Sequence, residues 1–159
     1  MPIACTFSLN NKQMSTLHCD GVGNFAAFSG DGPGKDNPAD IAIPDVGPLP
    51  PGRYYIVDRG SGGVFTHLLD FFRTYIYGTD RSKWFALYNS TTQDDWVFVH
   101  NVKRGNFRLH PRGPRNLSEG CITLADPIAF DKLRASLKAS NPIAIPGSKG
   151  FAYGTVDVK

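Results

Sequence analysis

The sequence predicts a mainly β fold, a small sandwich or barrel carrying one or two short helices. Short runs rich in β-branched and aromatic residues recur along the chain, and clusters of Gly, Pro, Asn and Asp separate them. Apolar residues at helical spacing occur in only two segments.

In chain order, the first strand is expected at Ala4 to Leu9. A hairpin of residues 3 to 9 and 15 to 21 around Asn11-Lys12-Gln13 would set Cys5 directly opposite Cys19, within bridging distance. That pair is either a disulfide or two reduced thiols in a β core. Asn24 to Phe28 follows as a strand, and the proline- and glycine-rich stretch from Gly30 to Pro51 reads as a long ordered loop, because too little chain precedes it for a separate core. Further strands are expected at Arg53 to Asp58, Trp84 to Asn89, Trp96 to Asn101, Asn106 to His110 and Cys121 to Leu124. Val64 to Tyr77, with Phe65, Leu68, Leu69, Phe72 and Ile76, reads as an amphipathic helix inserted in this framework, either a packing helix or a cap over a groove. The second helix begins at Asp126-Pro127, an N-cap followed by proline at the first helical position. Phe130, Leu133 and Leu137 then share one face before Asn141-Pro142 stops the run.

A chain of 159 residues, 41% hydrophobic and 19% charged, can bury one core without needing disulfides, so residues 1–159 are expected to form a single domain. A formal charge of +3, without interleaved aromatic platforms among the basic residues, excludes a nucleic-acid binder and suits a small anionic substrate. No apolar run reaches the length of a membrane span, and Met-Pro-Ile-Ala-Cys-Thr-Phe lacks the layout of a signal peptide. Synthesis in the cytoplasm is therefore expected. His18, His67 and His100 lack metal-ligand spacing, so no metal or other cofactor is expected. Asp94-Asp95 reads as a solvated turn before a strand, since adjacent strand positions face opposite ways.

Chemistry concentrates in His110-Pro-Arg-Gly-Pro-Arg-Asn-Leu-Ser118-Glu-Gly120-Cys121-Ile-Thr-Leu. A thiol reacts as the thiolate, and an imidazole or a neighbouring positive charge holds its pKa down. A lone cysteine is more often a core residue than a nucleophile. Here the setting reverses that, because Arg108, His110, Arg112 and Arg115 crowd the approach to Cys121, and Pro111, Gly113 and Pro114 put a turn-rich loop between base and thiol. Gly120 lets the chain turn sharply and lets an acyl carbonyl approach the amides of Gly120 and Cys121, the candidate oxyanion donors. Ser118 is a supporting hydroxyl that orients the loop or bonds to His110.

Phe-Arg-Leu-His110 followed by Leu-Ser118-Glu-Gly-Cys121-Ile-Thr-Leu resembles the active-site signature of L,D-transpeptidases, and more closely that of the peptidoglycan-targeting effectors of bacterial type VI secretion systems. Phe28-Ser-Gly30, Gly47-Pro-Leu-Pro-Pro-Gly52-Arg-Tyr-Tyr-Ile56 and Trp84-Phe-Ala-Leu-Tyr88 stand in that family's order, so the resemblance spans roughly residues 25 to 138. The housekeeping enzymes carry an arginine two places after the cysteine where this chain has Thr123, so Arg112 becomes the candidate for holding a substrate carboxylate, with Arg108 and Arg115 beside it.

The resemblance implies an antibacterial enzyme acting on peptidoglycan tetrapeptide stems through a cysteine thioester, by L,D-carboxypeptidation and by D-amino-acid exchange. It also implies export through type VI machinery, action in the target-cell periplasm and a cognate immunity protein. Two other classes stay open: a cysteine peptidase or amidase of different specificity, and a non-enzymatic wall-binding β module in which His110 and Cys121 are structural.

Overall fold

The computed structural model describes residues 2–58, 83–113, 120–148 and 150–159. Eight strands close into a barrel: β1 (Ile3–Phe7), β2 (Ser15–Cys19), β3 (Gly23–Phe28), β4 (Gly52–Asp58), β5 (Phe85–Asn89), β8 (Arg108–Pro111), β9 (Ile122–Leu124) and β12 (Gly154–Val158). Around the barrel the order is β1-β12-β4-β5-β8-β9-β3-β2. All neighbours are antiparallel except the pairs β1–β12 and β8–β9. Two small hairpins lie outside the barrel, β6 (Trp96–Val99) with β7 (Val102–Gly105), and β10 (Ile143–Ala144) with β11 (Phe151–Ala152).

The first hairpin has the register its turn dictates. Cys5 pairs with Cys19 and Phe7 with Leu17, and the two cysteines form a disulfide across 4.1 Å between their Cα atoms. Of the two readings open for this pair, the disulfide is the one the structure takes, and it is buried inside the barrel. Gly154 closes the cylinder. A Cβ there would come within 2.2 Å of the Ile3 carbonyl oxygen, so only glycine lets β12 lie against β1.

Alternation along the strands separates two layers. Facing inward are Phe7, Leu17, Phe25, Tyr54, Ile56, Phe85, Leu87, Leu109, Ile122, Leu124 and Val156. The buried face of helix α1 (Pro127–Ala139), made of Phe130, Leu133 and Leu137, joins them. The Asp126 carboxylate accepts the Ile128 amide at 2.9 Å, which is the expected cap.

Gly30 to Pro51 is indeed an ordered loop without strands, threaded by two short 3-10 turns at Gly32–Gly34 and Pro38–Asp40. It is pinned at its root, where the Ser29 amide donates to Asp36 Oδ1 (2.9 Å) and the Leu49 amide to Ser29 Oγ (2.7 Å).

Three sequence expectations need correction or completion. The strand expected from Trp96 to Asn101 ends at Val99, because His100 (φ 48°) and Asn101 (φ 65°) form a tight turn into β7. Strands β7, β10, β11 and β12 were not foreseen; Gly154-Thr-Val-Asp-Val is short, contains an acid and is recognised only by its two neighbours in the barrel. Asp94 and Asp95 form the expected bend directly before β6, with Asp94 exposed, and Asp95 in addition ion-pairs with Arg108 at 2.7 Å. The helix expected over 64–77 lies outside the described residues.

Candidate active site

The site occupies the outer face of the one parallel pair on this side of the barrel. Leu109 pairs with Ile122 and both point into the core, so their neighbours His110 and Thr123, also paired, point outward. Both are nevertheless buried, at 5% and 0% exposure, which makes this a covered polar layer rather than a surface. Cys121 stands two residues before Thr123, about 7 Å along an extended chain, and is 93% buried by its neighbours at 7% exposure. It is the cysteine outside the disulfide.

Gly120 makes the entry to this strand possible. Its φ is +83°, and a Cβ would stand 2.6 Å from Arg104 Nη2 and 3.6 Å from the Phe107 ring. The left-handed φ favours glycine, and a Cβ would force the Arg104 guanidinium to give way. The Cys121 thiol, 3.6 Å from the Asn106 carbonyl oxygen, donates to it.

His110 is held in one tautomer. Its Nδ1 lies 2.9 Å from the Pro111 carbonyl oxygen, which can only accept, so Nδ1 carries the proton. Nε2 is left as the basic nitrogen, and the Thr123 hydroxyl donates to it at 3.2 Å. Trp84 stacks on the ring at 4.1 Å between centroids and 19° between planes, fixing its tilt and excluding water from one face. Trp84 reaches this position because it directly precedes Phe85, which pairs with Leu109.

The basic residues are placed differently from one another. Arg108 is engaged, donating to Asp95 and to the Phe107 carbonyl at 2.7 and 2.8 Å. The Arg112 side chain is exposed, while its backbone amide donates to Leu124 at 2.8 Å. Pro111 ends strand β8 rather than opening the loop. Arg115 and Ser118 lie outside the described residues.

One residue was missed. Arg104 on β7 is 3% exposed, and its guanidinium donates to the carbonyls of Ile41, Pro48 (3.3 Å) and Gly47 (3.0 Å). Burial lowers its pKa, an effect that Tyr54, Asp45 and Cys121 oppose in their ionised forms. Nothing in Val102-Lys103-Arg104-Gly105 signals this, because the partners lie more than fifty residues away. Among the described residues, no group of three His, Cys, Asp or Glu gathers as a metal site, and no helix is long and apolar enough to cross a membrane.

A basic imidazole nitrogen and a thiol preceded by a glycine turn are the two groups that thiol acyl transfer requires. Comparison with curated proteins gives no match. The family model for the Tlde1 domain matches residues 23–148, which takes in the Gly30–Pro51 loop, Trp84, His110, Gly120, Cys121 and helix α1. The chain therefore belongs to the Tlde1 domain family, the type VI secretion L,D-transpeptidase effectors whose signature its His110 and Cys121 segments resemble.

Proposed function

We propose that the protein attacks peptidoglycan tetrapeptide stems through a thioester on Cys121, acting as an L,D-carboxypeptidase and as an L,D-transpeptidase that exchanges the terminal D-amino acid. The observation that carries this reading is the tautomer of His110. With its proton on Nδ1 and the Pro111 carbonyl holding it there, Nε2 is the nitrogen able to take a proton, and it meets Thr123, two residues after Cys121.

His110 Nε2 takes the Cys121 Sγ–H proton, and the thiolate attacks the carbonyl carbon of the third stem residue. The tetrahedral oxyanion is held by the Gly120 and Cys121 amides. Collapse breaks the amide to the terminal D-alanine, whose nitrogen leaves with the proton from His110. Water or an incoming amine, deprotonated by His110, then attacks the thioester and restores the thiol. The Thr123 hydroxyl holds Nε2 between turnovers and must yield it to the thiol proton. Arg112, the exposed cation nearest in sequence to His110, is the residue we assign to a stem carboxylate. Ser118, Arg108 and Arg115 are assigned supporting parts at the loop, with Arg108 acting through its pair with Asp95.

This reading places the action in the periplasm of a target cell, reached through type VI machinery, and implies an immunity protein in the producer. Incubation of the purified protein with a defined disaccharide tetrapeptide tests it. Release of D-alanine, or its replacement by an added D-amino acid, is expected. Cleavage of a different amide would turn the reading to a peptidase or amidase, and an inert product mixture would turn it to a binding module.

A further inference from the structure

We propose that Arg104 is the positioning cation of the thiol site, a guanidinium that pins the Ile41–Pro48 loop on one side and backs the Gly120 turn presenting Cys121 on the other. The proposal rests on the thiol reading above and deepens it.

Its first ground is what Arg104 does not meet. A buried guanidinium is costly unless an opposite charge compensates it. The partners of this one among the described residues are three backbone carbonyls, which satisfy its N–H groups but leave its charge unneutralised by contact. The acidic groups whose ionised forms would bear on it are Tyr54, Asp45 and Cys121. Tyr54 is a weak candidate for sharing that charge, since burial raises its own pKa and its hydroxyl already donates to the Pro50 carbonyl at 2.7 Å. Asp45 is on the loop that Arg104 itself anchors. Cys121 is the group in which negative charge must develop for the chemistry to run.

The second ground is contact geometry. The guanidinium lies against Gly120, where an ideal Cβ would stand 2.6 Å from Nη2. The turn donating the Gly120 and Cys121 amides therefore rests directly on the cation. Arginine suits the place because its planar fork spans carbonyls from two ends of one loop, which a lysine ammonium on a shorter head cannot do at once. Through one side chain, the loop between β3 and β4 and the start of β9 are tied to the same point.

The test compares Arg104→Lys and Arg104→Gln with the unchanged protein. Melting temperature, the pH profile of Cys121 alkylation by iodoacetamide, and kcat and KM for D-alanine release are measured on each. The disulfide leaves Cys121 as the thiol that reports. The alkylation midpoint should rise from wild type to Lys to Gln, by about one pH unit for Gln. The same order should appear as a fall in kcat, about ten- to a hundredfold for Gln, with KM little changed. Variants that melt earlier yet keep the wild-type alkylation midpoint and kcat overturn the proposal, leaving Arg104 as a loop anchor. If Arg104→Gln does not fold, the Lys variant decides on the same readouts, a midpoint equal to wild type being the refuting result. Turnover that survives Cys121→Ala would sink the thiol reading instead, and is a separate measurement.

Discussion

The two faces of β8 and β9 are built by the same few residues and obey opposite rules. Inward, Leu109, Ile122 and Leu124 join a core of aliphatic and aromatic side chains with no exposed area to speak of. Outward, His110, Thr123 and Cys121 are just as covered but polar, each tied to a specific partner atom. The inner layer is a source of stability, because burying apolar surface is favourable wherever it is done. The outer layer stores free energy unfavourably unless every polar group is met, and it is retained where that preorganisation serves a reaction. Substitutions on the two faces should therefore separate cleanly into losses of chemistry and losses of stability.

The largest effect is expected at the thiol. Cys121→Ala should abolish D-alanine release, by at least about a thousandfold, while the melting temperature stays close to wild type. His110→Ala should lower turnover nearly as far and slow alkylation of Cys121 at neutral pH, since the thiolate loses its base. An undiminished alkylation rate in that variant would make His110 a structural residue and erase the contrast between the faces.

The converse belongs to the adjacent inward residue. Leu109→Ala, one position from His110, should cost about 2–5 kcal/mol of stability by denaturant titration through lost transfer energy and a cavity. Below the unfolding transition its alkylation rate should remain near wild type. A collapse of alkylation in the still-folded variant would show that the two layers are mechanically coupled.

This contrast also explains what could be read from the sequence. Local rules carried far: a hairpin symmetric about Asn11-Lys12-Gln13 sets Cys5 against Cys19, and Asp126-Pro127 with Phe130, Leu133 and Leu137 specifies helix α1 to its buried face. The site's two central residues were legible because His110 and Cys121 lie within one segment whose residue types are chemically distinctive. What could not be read depends on partners far along the chain. Arg104 looks like one more basic residue until the loop carbonyls at Ile41, Gly47 and Pro48 close over it. Strand β12 is paired on both sides by strands nearly a hundred residues or more earlier in the chain, β1 and β4, and Trp84 comes beside His110 only through the register of β5 on β8. The turn at His100 and Asn101 was hidden because its left-handed backbone is carried by residues other than glycine.

A smaller effect is expected from the outer loop, where Asp36 is fully covered and one of its carboxylate oxygens, Oδ2, has no hydrogen-bond partner. Burial pushes its pKa up to about 6, against the Ser29 amide bond and the Lys35 charge, which both lower it. The folded state then holds the proton more tightly than the unfolded chain does. Its contribution to stability is therefore full below the ordinary carboxylate range and is lost as pH rises through about 6. Asp36→Asn should flatten stability between pH 4 and 6.5 and raise it at neutral pH by about 1 kcal/mol, a gain limited by the new amide donor that also lacks a partner. A stability profile still sloping in the variant would assign the slope to another group.

The smallest expected effect sharpens the outer face itself, by asking which of its cations meets the substrate. Arg108 is already satisfied by Asp95 and the Phe107 carbonyl, and Arg104 by its loop, so neither can turn to a ligand without breaking existing bonds. Arg112 has an exposed side chain, and its backbone is fixed by the amide bond to Leu124, so the guanidinium projects from an anchored point. An exposed cation paired with one carboxylate is worth on the order of 1 kcal/mol or less, which is a few-fold in affinity. Arg112→Ala should accordingly raise KM for tetrapeptide substrate by about three- to fivefold. Because this residue has no part in activating sulfur, kcat and the pH profile of Cys121 alkylation should stay as they are. A fall in kcat with unchanged KM would place Arg112 with the reacting atoms. Unchanged kinetics would move the carboxylate contact to Arg115.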